Sequence, residues 1–206
     1  MRSEKIYEKQ TAEHNLNTLL HNLGRSGADD AAKALSGMIF KDITINVSRV
    51  HMVSPIEMPH LLESHELQTV VIIEQLSQDL DCDLLLIFSI EESENLVKLF
   101  LEAMGMDGIT EEEVMQEIGN ILLGNFLNAF SNQLQLLLKP TPPRHYVDYF
   151  NAIIESYVTR LLYEEKNATL FDTSLRCAGV NIKGLILMFI GEDFKEKIIL
   201  SNQVKT

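Results

Sequence analysis

Several features that would assign a role at once are missing from this chain. Its first fifteen residues, MRSEKIYEKQTAEHN, hold no apolar stretch of the kind that begins a secretory signal. The longest apolar runs, 84–88 and 185–190, are strand-sized and far short of the ~18–20 residues a membrane span needs. A cytoplasmic location is therefore expected, and the glycosylation sequon at Asn167 means nothing without export. Basic residues are few and scattered. Seventeen Lys and Arg face thirty Asp and Glu, a net charge of −13 that repels nucleic-acid backbones and anionic headgroups. Neither a nucleic-acid partner nor membrane insertion is expected. Only two cysteines occur, Cys82 and Cys177, each within a strand-like run, which points to buried thiols rather than a disulfide framework.

Chemical signatures are equally sparse. His60 and His65 flank Glu63, and Asp81 and Asp83 bracket Cys82, but neither set has the spacing or ligand count of a metal site. No metal is expected. Gly24 and Gly27 are not followed by the Lys-Ser/Thr of a phosphate loop and read instead as a break between two helical segments. No Gly-x-Ser-x-Gly occurs, and neither cysteine sits in a known catalytic signature. No Pro- or Gly-rich linker divides the chain either.

What is present is an ordinary globular composition: 206 residues, 46% hydrophobic and 23% charged, enough to bury a core without disulfides or metals. Apolar spacing predicts helix over 3–24, continuing or restarting over 28–39, then strands at 43–53, 68–76 and 83–90 and a helix at 92–104. The scheme then recurs. A long helix is expected from Thr110, as N-cap, to about 133, ended by Pro140, Pro142 and Pro143. An extended piece at 144–147, a helix at 149–164, strands at 169–177 and 181–190 and a helix at 192–199 complete it. Two local matches suggest duplication. Asn22-Leu-Gly-Arg25 falls on Glu117-Ile-Gly-Asn120 at an offset of 95, and the run at 84–88 falls on that at 185–189 at an offset of 101. The expected fold is α+β: one duplicated, pseudo-two-fold unit spanning 1–206, its halves about 1–105 and 106–206. Strands of both halves should meet in one mostly antiparallel sheet, with the two long helices side by side on one face.

On a helical wheel, Val114, Ile118, Ile121, Leu122, Phe126, Ala129 and Phe130 gather on one side of the long second helix. The opposite arc holds Glu113, Glu117, Asn120, Gly124, Asn128 and Ser131. A solvated face is normally rich in Lys and Glu, but this one has no Lys or Arg and contains a glycine that costs about 1 kcal/mol against Ala. Such a glycine implies close approach of another backbone or partner. Glu117 and Asn120, one turn apart, can reach a single external target together.

Glu113, Glu117, Asn120 and, after twenty-two further residues, Pro143 resemble the signature of the CheC/CheX/FliY phosphatases of chemotaxis: Asp or Ser, three residues, Glu, two residues, Asn, twenty-two residues, Pro. The following Leu-Asn-Ala-Phe-Ser and the duplicated plan are similar to the CheC branch. The resemblance implies hydrolysis of the aspartyl-phosphate of a CheY-like response regulator, with Asn120 orienting the water and Glu117 pairing with the regulator's lysine. Glu113, Gly124 and Asn128 would help to dock it. Mg²⁺ would come from the regulator, so no cofactor of its own is implied, and a CheD-like deamidase is a further implied partner. Two departures stand out. The first half carries Asn22 and Arg25 at the chemical positions and Ser48 at the proline position, which implies one working site; and Glu113 replaces the Asp or Ser. The competing reading is a non-catalytic module that docks a receiver domain, a CheD-like deamidase or a flagellar-switch component.

Overall fold

The computed structural model describes residues 2–54, 56–57, 67–76, 82–105, 108–163, 168–177 and 182–203. In chain order the elements are α1 (Arg2–Ile39), β1 (Ile43–Val53), β2 (Gln68–Gln75), β3 (Cys82–Ser89), α2 (Ile90–Met104), α3 (Glu111–Leu134), β4 (Arg144–Tyr149), α4 (Phe150–Tyr163), β5 (Ala168–Cys177), β6 (Gly184–Ile190) and α5 (Glu192–Gln203). The chain is α+β with antiparallel pairing throughout these strands.

Helix ends follow local chemistry. Ser89 caps α2 by accepting from the Glu92 amide, and Gly105 closes it in the left-handed region at φ 60°. Thr110 caps α3, as expected.

The strands carry two cores. On β3 the side chains of Leu84, Leu86 and Phe88 face one core, while Leu85 and Ile87 face the other. β6 does the same with Ile186, Met188 and Ile190 against Leu187 and Phe189. Burial on both faces is why these strands are continuous apolar runs rather than alternating ones. The larger core lies under α1, α2, α3 and α5, and α4 alone covers the other face through Phe150, Ile153, Ile154, Tyr157 and Leu161.

Two expectations need correction. The strands form two hydrogen-bonded sheets, β1-β5 and β4-β2-β3-β6, not one. Between β5 and β6 the Thr173 hydroxyl intervenes: Oγ1 accepts from the Ile186 amide at 2.7 Å and donates to the Ile186 carbonyl at 3.1 Å. Those backbone groups are satisfied by a side chain, so no ladder forms there. The second correction concerns α1, which runs through Gly24 and Gly27 without a break. A Cβ on Gly24 would stand 2.6 Å from the Phe171 ring, and one on Gly27 would stand 2.9 Å from the Phe126 carbonyl oxygen. These glycines are contact points, where α1 presses on β5 and on its neighbour α3.

Candidate functional site

The site is built on α3. Thr110 and Glu113 form a capping box: Thr110 Oγ1 accepts from the Glu113 amide at 3.3 Å, and Glu113 Oε2 accepts from the Thr110 amide at 2.9 Å and hydroxyl at 2.8 Å. Those donors hold the Glu113 carboxyl below its ordinary pKa. Glu113 thus fixes where the helix begins, with one oxygen already committed.

Further along, Gly119 lies against the sheet. A Cβ there would stand 2.3 Å from Cγ2 of Ile72 on β2, so only glycine lets the helix sit this close. With Gly119 turned inward, Glu117 and Asn120 on either side of it are exposed. Gly124 is half-buried and Asn128 is exposed, and a Cβ on Gly124 would meet nothing within 4 Å. The space that a side chain there would take is open among the described residues, leaving room for another molecule. Ser131 leaves the arc, because its hydroxyl donates to the Leu136 carbonyl and its carbonyl accepts from the Gln135 and Leu136 amides. It belongs to the C-terminal cap.

The opposing wall is the segment 140–143. Thr141 fastens it to the end of β2: its amide donates to the Gln75 carbonyl at 2.7 Å, and its Oγ1 accepts from the Gln75 amide at 3.1 Å. Arg144 Nη2 donates to Gln75 Oε1, Gln75 Nε2 donates to Asp83 Oδ1 at 2.8 Å, and buried Asp83 pairs with Arg160. Asp83 is therefore part of a structural chain behind the wall. Between helix and wall lies an open cleft of about 580 Å³, lined by Glu113, Gln116, Glu117, Asn120, Pro140, Thr141, Pro142 and Pro143.

Sequence reasoning brought together Glu113, Glu117, Asn120 and Pro143, and all four line this cleft. It missed Gln116 and Thr141. Gln116 lies only about 60° from Glu113 on the wheel, so the arc itself contained the signal. Thr141 gives no sign of its role, because its partner Gln75 is far away in sequence. Gly124 and Asn128 lie farther along the helix, outside the cleft lining. His60, Glu63, His65, Asp81 and Asn167 lie outside the described residues. Among the described residues no group of three or more His, Cys, Asp or Glu could hold a metal ion, and no helix is long and apolar enough to cross a membrane. Cys82 and Cys177 are both buried.

The model of the CheC-like family matches residues 111–147, the stretch that contains this cleft. A curated relative, the CheY-P phosphatase CheC of Bacillus subtilis (strain 168), is 24% identical over 164 residues, covering 76% of this chain and 78% of its own. The crystal structure of Thermotoga maritima FliY superposes with a TM-score of 0.72 at 15% identity, covering 93% of this chain and 98% of that one. These similarities all fit the CheC/CheX/FliY family. The FliM middle domain from H. pylori shares the fold too, with a TM-score of 0.66 at 10% identity over 91% of this chain and 98% of that one. The helix bearing Glu117 and Asn120 and the 140–143 wall both lie within the stretch that the CheC-like model matches.

Proposed function

We propose that this protein is a phosphatase that hydrolyses the aspartyl-phosphate of a CheY-like response regulator in chemotaxis signalling. The observation that carries the reading is the meeting of Glu117, Asn120 and Pro143 around one open cleft, on the stretch matched by the CheC-like model. Both side chains are exposed rather than recessed, which suits a substrate that is itself a folded protein.

An aspartyl-phosphate is an acyl phosphate whose leaving group is a carboxylate. Hydrolysis forms a bond from water oxygen to phosphorus and breaks the bond to the Asp oxygen, releasing inorganic phosphate and a free carboxylate. The leaving group needs no proton, so positioning is the main requirement. In this reading the Asn120 amide, both donor and acceptor, aims a water in line with the breaking bond. Glu117 forms a charge-assisted contact with the regulator's lysine and sets the register between the proteins. Pro143 and the Thr141 anchor keep the wall at a fixed distance, and Gly124 admits the partner's surface. Mg²⁺ belongs to the regulator.

The test is release of phosphate from a ³²P-labelled receiver of the same cell, with and without this protein. Acceleration is the expected result. No acceleration with any receiver of that cell would leave the binding-module reading, in which the same face docks a receiver, a CheD-like deamidase or a flagellar-switch component without turnover. Retention of Glu117, Asn120 and Pro143 together favours the enzyme.

A further inference from the structure

Gln116 lines the α3 cleft, yet it is one of the three unspecified residues between Glu113 and Glu117 in the signature. At 100° per residue it stands about 40° from Asn120 and about 60° from Gly119, which abuts Ile72 on the sheet. Glu117 lies on the opposite flank of Asn120. Burial follows the same order: Gln116 is half-buried, while Glu113, Glu117 and Asn120 are exposed. The site therefore grades inward from Glu117 through Asn120 to Gln116, on the flank towards the sheet. Among the described residues no Lys or Arg lines the cleft, and its two ionisable side chains, Glu113 and Glu117, are both acidic. The side-chain donors that an anionic group meets there are neutral: the Gln116 and Asn120 amides and the Thr141 hydroxyl. Thr141 Oγ1 is already held by the Gln75 amide at 3.1 Å. Gln116 Nε2 donates to Glu112 Oε1 at 3.4 Å, the long end for such a bond, and a primary amide has a second hydrogen to give.

We propose that Gln116 binds a non-bridging oxygen of the phosphoryl group, as a second amide working beside Asn120. The proposal rests on the reading of this cleft as a phosphatase site. Residues four apart on a helix have Cβ atoms about 5–6 Å apart, and an attacking water stands about 3–3.5 Å from the phosphorus. Two amides so placed can serve the water and one phosphoryl oxygen at once. During hydrolysis only the water oxygen joins the phosphorus and only the Asp oxygen leaves it, so the non-bridging oxygens keep their bonds throughout. A donor on one of them is engaged in the bound state and in the transition state alike, which is binding that sets KM more than kcat. Asn120, acting on the water, has the converse effect. A neutral donor also adds no charge to a phosphoryl group that in this reading already meets the regulator's Mg²⁺ and lysine.

The probe is a CheY-like receiver from the same cell loaded with Mg²⁺ and beryllofluoride, a stable mimic of the phosphorylated state, titrated by calorimetry. The same receiver with Mg²⁺ alone is the control. Wild type should prefer the loaded receiver. Gln116→Met keeps the length and helix propensity and has no donor, so it should cut that preference about tenfold or more. Gln116→Glu puts a negative charge in the same place and should cut it further. In Gln116→Met the melting temperature and the affinity for the unloaded receiver should stay at their wild-type values. Phosphate release by that variant should show KM raised by the same factor with kcat changed little. The wild-type preference surviving in both variants would overturn the proposal, as would a wild type that binds loaded and unloaded receivers alike. Equal losses with the two receivers would overturn it too, because they mark a structural role. Turnover by wild type with both variants at the wild-type KM would end this proposal alone. A preference that Gln116→Met abolishes, in a protein without turnover, would end the phosphatase reading alone.

Discussion

An exposed amide and an exposed carboxylate one helical turn apart contribute little to a folded core, so substitution at Asn120 and Glu117 reports on chemistry rather than stability. In the proposed role, where Asn120 orients the water, Asn120→Ala should lower phosphate release on the order of 10²-fold or more while the melting curve stays unchanged. In the proposed role, where Glu117 contacts the regulator's lysine, Glu117→Ala should raise KM and lower kcat together. Steady-state release against receiver concentration separates the two effects, and full activity in Asn120→Ala would sink the water-positioning role. That both would line one cleft with Pro143 was legible in the sequence, because the spacing marks them. The identity of Glu113 was legible and its use was not: its carboxylate serves the helix cap, which the sequence shows only as a Thr three residues earlier. Glu74 on β2 was invisible as well. It is 1% exposed, neither carboxylate oxygen has a partner among the described residues, and burial pushes its pKa from the usual 4.5 up to about 8. The folded state therefore holds a proton there that the unfolded chain gives up above about 4.5. Stability should fall as pH rises from about 4.5 to about 8, by a few kcal/mol in the limit. Glu74→Gln, neutral and of similar shape, should be more stable than wild type at pH 8 and should lose that part of the slope. Parallel urea-midpoint profiles for the two proteins would refute this.

Two glycines on one helix make opposite demands, and the element scale is where they separate. Gly119→Ala drives a methyl against the stiff, fully buried Ile72, at 2.3 Å from its Cγ2. Overpacking of this kind costs roughly 1–3 kcal/mol. It should also tilt α3 off β2, moving Glu117 and Asn120 away from the Pro143 wall, so turnover should fall with stability. Gly124→Ala meets open space and gains helix propensity, up to about 1 kcal/mol. The same methyl stands on the proposed docking face, so KM should rise although the protein is more stable. Urea midpoints and KM on both variants check the pair; equal stability of Gly119→Ala and wild type would refute the packing argument. The sequence wheel underestimated α3 because it assumed one buried side. Met115, Gly119, Leu123 and Leu127 are buried as well, since α3 lies against α1 while also covering β2. A wheel reveals that a helix is amphipathic and not how many neighbours it has. The opposite error came at Gly24 and Gly27, where residues that break helices in isolation are kept because Phe171 and Phe126 need their space.

At the scale of the molecule, the order of elements and the neighbourhood of the two long helices were legible, because apolar period and run length survive without tertiary context. The division into two sheets was not, because nothing local distinguishes Thr173, whose hydroxyl takes both backbone groups of Ile186, from other strand threonines. Thr173 is 2% exposed and is the hydrogen-bond partner of both the amide and the carbonyl of Ile186. Thr173→Val keeps the shape and removes both bonds, leaving two backbone groups unsatisfied inside the protein. The loss should be about 1–3 kcal/mol, at the scale set by a buried orphaned polar group. Thr173→Ser should recover most of it, because the hydroxyl remains and only a methyl is lost. The effect should also be localised. In native-state hydrogen exchange the Ile186 amide should lose protection in Thr173→Val, while Leu85 and Leu187, paired across the intact β3–β6 ladder, should change far less. If instead β5 and β6 were held together by packing alone, Thr173→Val would unfold at the wild-type urea concentration and Ile186 would keep its protection. That outcome would remove the hydroxyl from the account of how the two sheets are joined.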